Sequence, residues 1–358
     1  MSAAATATSF TYEQLPGRVV FGAGSLDKLA EEVARLGAER AIVLSTPEQR
    51  ASAEDVARRL GPRAASVFPE AVMHVPIETA RAAREEARRL GADAAVAVGG
   101  GSTIGLGKAI ALDSGLPIIA VPTTYAGSEM TPIYGLTEGG AKKTGRDARV
   151  LPRTVIYDPL LTLGLPAKIS GPSGMNAIAH CVEALYAENA NPVISLMAEE
   201  GIRTLAHSLP RIAADLGDLD ARGDALYGAW LAGISLGAVG MALHHKLCHT
   251  LGGSFNLPHA ETHTIVLPHA VAYNSEAAPE AMQRIARALG GKDAANGLYD
   301  LAAVIGAPLA LKEIGLREQD LDRASEIATC NPYYNLRPVS RDGIRRLLED
   351  AFQGCRPG

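Results

Sequence analysis

Aromatic side chains make up only 4% of the 358 residues, with a single tryptophan. Alanine and leucine dominate the apolar content, which suits helices packed closely on helices. Cysteine is also scarce. Cys181, Cys248, Cys330 and Cys355 lie far apart and form no C-x-x-C pair, so they read as reduced thiols of a cytoplasmic protein. No apolar run reaches membrane-spanning length. No long run of one charge sign occurs either, and the net charge is −5. That excludes nucleic acid as the main partner, because such sites need a basic face. It leaves room for a small acidic ligand in a local basic pocket. Met1–Ser9 has neither the positive start nor the apolar stretch of a signal peptide and reads as a floppy leader.

A chain of this length predicts two domains and needs no disulfide or metal staple. Residues 1–160 alternate short apolar runs, such as Ala41–Ser45 and Ala94–Val98, with amphipathic helices. Continuous apolar runs suit parallel strands covered on both faces. This half is expected to be an α/β dinucleotide-binding domain with a Rossmann-like, doubly wound parallel sheet. Ser25 is expected to cap a helix from Leu26 to Leu36. Past Asp158-Pro159 strand-like runs nearly vanish. Residues 161–358 are expected to form an all-helical catalytic domain, with a cleft against the first. Val193–His207 and Leu209–Leu216 read as two helices, and Pro258-His259 as a loop that starts a new segment.

Gly99-Gly100-Gly101-Ser102-Thr103 follows a buried strand and opens a helix that includes Lys108. Glycines let a ligand approach the backbone, and a helix N-terminus offers N–H groups to an anion. Neither G-x-G-x-x-G nor a Walker-type loop is present. The next strand ends in a second small, polar loop from Pro122 to Thr131, with Thr123, Thr124, Tyr125, Ser128 and Thr131. Ligands of open α/β sheets bind beyond the carboxyl ends of strands. Two such loops can therefore hold a dinucleotide from both sides.

Histidines concentrate in the second half: His180, His207, His244, His245, His249, His259, His263 and His269. His245 and His249 share a helix face, as do Asn176 and His180. A metal site and a metal-free polar pocket that binds a carboxylate both fit this pattern.

Taken together these motifs resemble the iron-containing (group III) alcohol dehydrogenases, which share their fold with dehydroquinate synthase. The motifs are Gly99-Gly-Gly-Ser102 with Lys108, Pro122-Thr-Thr with Gly127-Ser-Glu, and His245-x-x-x-His249 through Pro258-His259. The resemblance spans the whole chain and implies NADH or NADPH as cofactor and a homodimer. Its metal-dependent members use an aspartate and three histidines, and the histidines correspond to His180, His245 and His259. The aspartate position is Asn176 here, and Gly105 stands where the glycine loop usually carries Asp. These departures look like one branch, the maleylacetate reductases, which reduce maleylacetate to 3-oxoadipate in bacterial aromatic degradation. A metal is therefore not expected. His245, His249 and His259, with His180, are expected to orient the substrate and supply the acid. Lys246 and Arg337 are expected to hold carboxylates, and Asn176, Tyr125 and His244 to complete the substrate pocket. The alternative is a metal-dependent alcohol or hydroxyacid dehydrogenase of the same family. Strand two ends in Ser45-Thr46 with no carboxylate at its tip, so NADPH is expected to be tolerated beside NADH.

Overall fold

Short β-branched and alanine-rich runs give eight strands: β1 (Arg18–Phe21), β2 (Ala41–Leu44), β3 (Ala64–Phe68), β4 (Ala94–Gly99), β5 (Ile118–Pro122), β6 (Ile133–Glu138), β7 (Ala141–Arg146) and β8 (Thr154–Tyr157). The structure, a computed structural model, describes residues 10–358 apart from Thr11, Gln14, Pro16 and Gly140. The leader read over Met1–Ser9 lies outside these residues. Six strands form one parallel sheet in the order β1-β8-β5-β4-β2-β3. β2, β4, β5 and β8 are buried along their whole length, which is why they carry no polar alternation. β6 and β7 pair separately as an antiparallel hairpin. Neither the hairpin nor β8 is anticipated from the sequence.

Helices α1 (Leu29–Arg35), α2 (Arg50–Leu60), α3 (Ile77–Arg89) and α4 (Gly101–Ser114) intervene between the strands. The chain moves outward from β2 to β3 and returns to the other side of β2 as β4. The strand order therefore reverses between β2 and β4, and the crevice at their carboxyl ends is the expected ligand position of a doubly wound sheet. Ser25 does not cap the first helix. Its hydroxyl donates to the Tyr157 carbonyl, and Asp158 accepts from Gly24 N–H and Leu26 N–H instead. The cap comes from the end of the neighbouring strand β8, more than 130 residues on in sequence and out of reach of a local reading.

The rest is helical: α5 (Ala167–Ala184), α6 (Pro192–Ala214), α7 (Leu219–Ala238), α8 (Leu243–Phe255), α9 (His259–Asn274), α10 (Pro279–Ala288), α11 (Ala294–Val304), α12 (Leu321–Thr329) and α13 (Arg341–Gln353). α6 is one helix through Pro210, not two. Burial of Leu205, Leu209 and Ile212 on one side outweighs the hydrogen bond that proline deletes. Likewise His259 opens a helix that continues past Pro268. Among the described residues no single helix is long and apolar enough to cross a membrane. One core joins the inner sheet to α5, α6 and α7, with Ala120, Tyr157, Ile178, Ile202 and Leu226. A second joins α8, α9, α12 and α13 through Leu247, Val266, Leu321 and Leu348. The seam between these cores, where α5 meets α8 and α9, holds His180, His244, His245, His249, His259 and His263.

Candidate active site

The glycine run lies at the β4–α4 turn. Gly99 has φ +153°, and a Cβ there would stand 2.5 Å from Thr103 Oγ1 and 2.8 Å from Gln49 Oε1. A Cβ on Gly100 would meet Thr124 at 2.9 Å. The backbone here comes so close to its neighbours that only glycine fits. The first-turn N–H groups of α4 open into the same crevice, and unsatisfied N–H groups favour an anion such as a pyrophosphate. Gln49, just before α2, donates from its amide to Thr123 Oγ1 across this opening, tying the β2 and β5 loops together.

The second loop is anchored from beneath by Lys108. Its ammonium donates to the carbonyls of Ser128 (2.7 Å) and Ile133 (2.7 Å) and to Thr131 Oγ1 (3.0 Å). Burial pushes its pKa down to about 7, against the pull of Glu129. Glu129 in turn accepts from the Tyr157 hydroxyl at 2.8 Å, and burial raises its pKa. Ser128 and Thr131, read as dinucleotide contacts, are thus engaged with Lys108. Ser102 and Thr124 are partly exposed at the crevice, whereas Thr103 and Thr123 are buried.

On the helical side, α5 carries Asn176, His180 and Glu183; α8 carries His244, His245, Lys246 and His249; α9 carries His259 and His263. Ring centroids are 5.1 Å apart for His180–His245, 5.0 Å for His245–His263 and 4.2 Å for His259–His263. His180, His244, His245 and His263 are buried, while His249 and His259 are exposed. Desolvation first, and neighbouring imidazoles second, hold His180, His245 and His263 well below the usual histidine range. His244 is pushed down to about 4. The buried rings are neutral near pH 7, each with one donor and one acceptor nitrogen.

Glu183 organises this wall. Its carboxylate accepts from Ala242 N–H (2.7 Å) and His244 N–H (2.6 Å), capping α8, and from His245 Nδ1 (2.7 Å). A neutral His245 with Nδ1–H committed to Glu183 presents a lone pair at Nε2. Sequence reading missed Glu183, because one glutamate in a helix looks like any surface charge. It also missed His263, although His259 and His263 repeat the i, i+4 spacing of His245 and His249. The prolines at 258 and 268 hid their common helix.

Other expected pocket residues stand elsewhere. Tyr125 is fully buried, its hydroxyl accepting from Arg222 at 3.0 Å. His244 is buried behind His245, with Nε2 3.0 Å from the His263 carbonyl. Arg337 donates to the Tyr273 carbonyl at 2.8 Å and stacks 4.4 Å from that ring. A buried arginine and an occupied arginine both use tertiary partners that local sequence does not display. By contrast, Tyr333 comes into the site, its hydroxyl 3.0 Å from His249 Nδ1, with the Lys246 ammonium 5.7 Å from its ring centroid.

The positions where an iron ligand set is expected hold Asn176, His180, His245 and His259. None is anionic. The Asn176 Oδ1, His180 Nδ1 and His245 Nε2 atoms are buried without a hydrogen bond. Among the described residues, the ring nitrogens gathered within 4.8 Å of one another belong to His244, His245 and His263; His244 is bonded through Nε2, and its Nδ1 is buried without a hydrogen bond. An amide and neutral imidazoles lack the charge that a carboxylate brings to a divalent ion, so this set is weaker than an aspartate with three histidines, although imidazoles themselves are ligands for iron and zinc.

The model of the iron-containing alcohol dehydrogenase family matches residues 16–159, and that of the family's C-terminal region matches residues 171–352. A maleylacetate reductase of Burkholderia cepacia is 64% identical, over 98% of this chain and 99% of its own. One of Sphingobium indicum is 58% identical, over 97% of this chain and 99% of its own. The crystal structure of a maleylacetate reductase from Agrobacterium tumefaciens superposes with a TM-score of 0.95 at 55% identity, covering 98% of this chain and 100% of that one.

Proposed function

This chain belongs to the iron-containing alcohol dehydrogenase family, and from that premise we propose that it reduces maleylacetate to 3-oxoadipate with NADH or NADPH, without a metal. The end-to-end 64% identity to a maleylacetate reductase carries the reading. The uncharged Asn176 in the floor of the histidine wall supports its metal-free form.

Maleylacetate carries a C=C conjugated to a ketone, with a carboxylate at each end. When bound, a reduced dinucleotide would supply hydride to the carbon β to the ketone, and the charge to be stabilised would be that of an enolate. The chain must then do three things: hold the carboxylates, stabilise the enolate oxygen and bring a proton to the adjacent carbon. Gly99, Gly100 and the start of α4, with Ser102 and Thr124 at the rim, hold the dinucleotide. Lys246 offers a cation to a carboxylate. The wall of His180, His245, His249 and His259 orients the substrate and supplies hydrogen bonds and the proton. A conjugated ketone can be polarised by such donors in a partly dry site, whereas simple carbonyl reduction leans on a metal Lewis acid. The reading includes a homodimer in the cytoplasm, late in aromatic degradation.

The test follows dinucleotide oxidation with maleylacetate and with simple aldehydes, each with and without EDTA. Turnover of maleylacetate that EDTA leaves unchanged is expected. Aldehyde turnover lost to the chelator would instead make this a metal-dependent alcohol dehydrogenase. NADPH is expected to work within about a thousandfold of NADH in kcat/KM, a gap of about 4 kcal/mol, since β2 ends in Ser45-Thr46.

A further inference from the structure

His245 and His249 stand one turn apart on α8, and their Nδ1 atoms have opposite kinds of partner. Glu183 takes a hydrogen bond from His245 Nδ1. Glu183 also receives two backbone N–H groups, which matches a carboxylate that only accepts. His249 Nδ1 instead meets the Tyr333 phenol at 3.0 Å. A phenol O–H is a good donor to a neutral imidazole lone pair, and such a bond fixes which nitrogen keeps the proton.

Tyr333 is held in place by its own segment. Asn331 turns the chain at φ +51°. Asn335 and Asn274 exchange amide hydrogen bonds at 2.8 and 3.0 Å. Tyr273 donates to the Pro338 carbonyl at 2.7 Å, and Arg337 grips the Tyr273 carbonyl. Three contacts to the end of α9 therefore fix a segment whose Tyr333 side chain reaches His249.

We propose that Tyr333 is a positioning residue: it donates to His249 Nδ1 and so presents His249 Nε2–H as the hydrogen-bond donor for the enolate oxygen, while Glu183 leaves His245 Nε2 as an acceptor. No proton is transferred in this step; the bond to oxygen strengthens as negative charge develops there. The assignment rests on the reductase reading above. It divides roles between two histidines that spacing alone makes equivalent.

Two measurements test it. Ring ¹⁵N chemical shifts of His249 report the tautomer without any substrate. They are expected to show Nε2–H with a bare Nδ1 in the native chain, and a mixture in Tyr333→Phe. The second is a cycle with maleylacetate. Tyr333→Phe is expected to lower kcat about tenfold, the worth of one hydrogen bond, with KM for NADH moved less than about twofold. In a His249→Ala background the same change is expected to matter less than about twofold, because acting residues that share a bond are not additive. An Nδ1–H tautomer in the native chain overturns the proposal, as does an equal loss in both backgrounds or an unchanged kcat. A native chain inactive on maleylacetate yet holding the expected tautomer condemns the substrate reading alone.

Discussion

The β4–α4 turn and the α5–α8–α9 seam, the two walls of the proposed site, offer different parts of the chain. At the β4–α4 turn the chemistry is in the backbone: glycines at 99 and 100 and the first N–H groups of α4. Several polar groups near it are tied down, Thr123 by Gln49 and Ser128 and Thr131 by Lys108, while Thr103 Oγ1 is buried without a hydrogen bond. At the α5–α8–α9 seam the chemistry is in side-chain nitrogens, and several of them, on His180, His245 and His263, make no hydrogen bond in the folded chain. Burying such groups costs about 1–3 kcal/mol each. A wall that tolerates this cost is built for something other than stability. On the proposed reading, the wall that would hold a pyrophosphate is the more finished surface, whereas the wall that would act on the substrate keeps bonding capacity in reserve.

The largest test of this contrast removes a histidine from the side-chain wall. His249→Ala is expected to lower kcat with maleylacetate by about 10²- to 10⁴-fold, the range for a donor or acid of the reacting group. His249 is exposed, so melting temperature and dinucleotide affinity, read by NADH fluorescence, are expected to stay near native. A parallel loss of dinucleotide affinity would show that the two walls are not separable.

Lys108→Met probes the finished wall. The substitution leaves the Ser128 and Ile133 carbonyls without their buried donor and Glu129 without its cation. A cost of about 3 kcal/mol in urea unfolding is expected. Dinucleotide affinity should weaken as the second loop loosens, while the His249 tautomer stays as it was. If stability were unchanged, the lysine would not be the anchor that its hydrogen bonds to Ser128, Thr131 and Ile133 suggest.

What local sequence discloses differs between the walls for the same reason. Gly99–Gly101 is legible because glycine's advantage is conformational and shows in the residue itself. The buried parallel strands are legible because both faces are covered. His245 and His249 are legible as a pair through spacing, and His180 and His259 as site candidates through the family resemblance. Their roles are not, because each role is set by a partner far along the chain: Glu183 for His245, 62 residues away, and Tyr333 for His249, 84 residues away. Tyr125 fails for the mirror-image reason. Its polar neighbourhood in the loop suggests a ligand contact, yet Arg222, 97 residues on, claims its hydroxyl. Tertiary pairing of this kind leaves no trace in periodicity.

The smallest expected effect concerns Gly105, where the resemblance places an aspartate in relatives. A Cβ here would lie 2.8 Å from Val75 Cγ2. Val75 itself has φ +45° and His74 has φ +65°, a conformation that a β-branched residue adopts only under constraint. The constraint is visible: Thr137 N–H donates to the Val75 carbonyl at 3.1 Å, and its hydroxyl to the His74 carbonyl at 2.8 Å. The strained valine and the bare glycine therefore belong together, since the side chain of one fills the space the other leaves. Gly105→Ala is expected to cost about 1–2 kcal/mol by overpacking. Adding Val75→Gly should return most of that, because it removes both the clash and the strain at a positive φ. Additive losses in the double variant would mean that the Gly105 site and the 74–75 turn are independent, and that the missing aspartate has no counterpart on the finished wall.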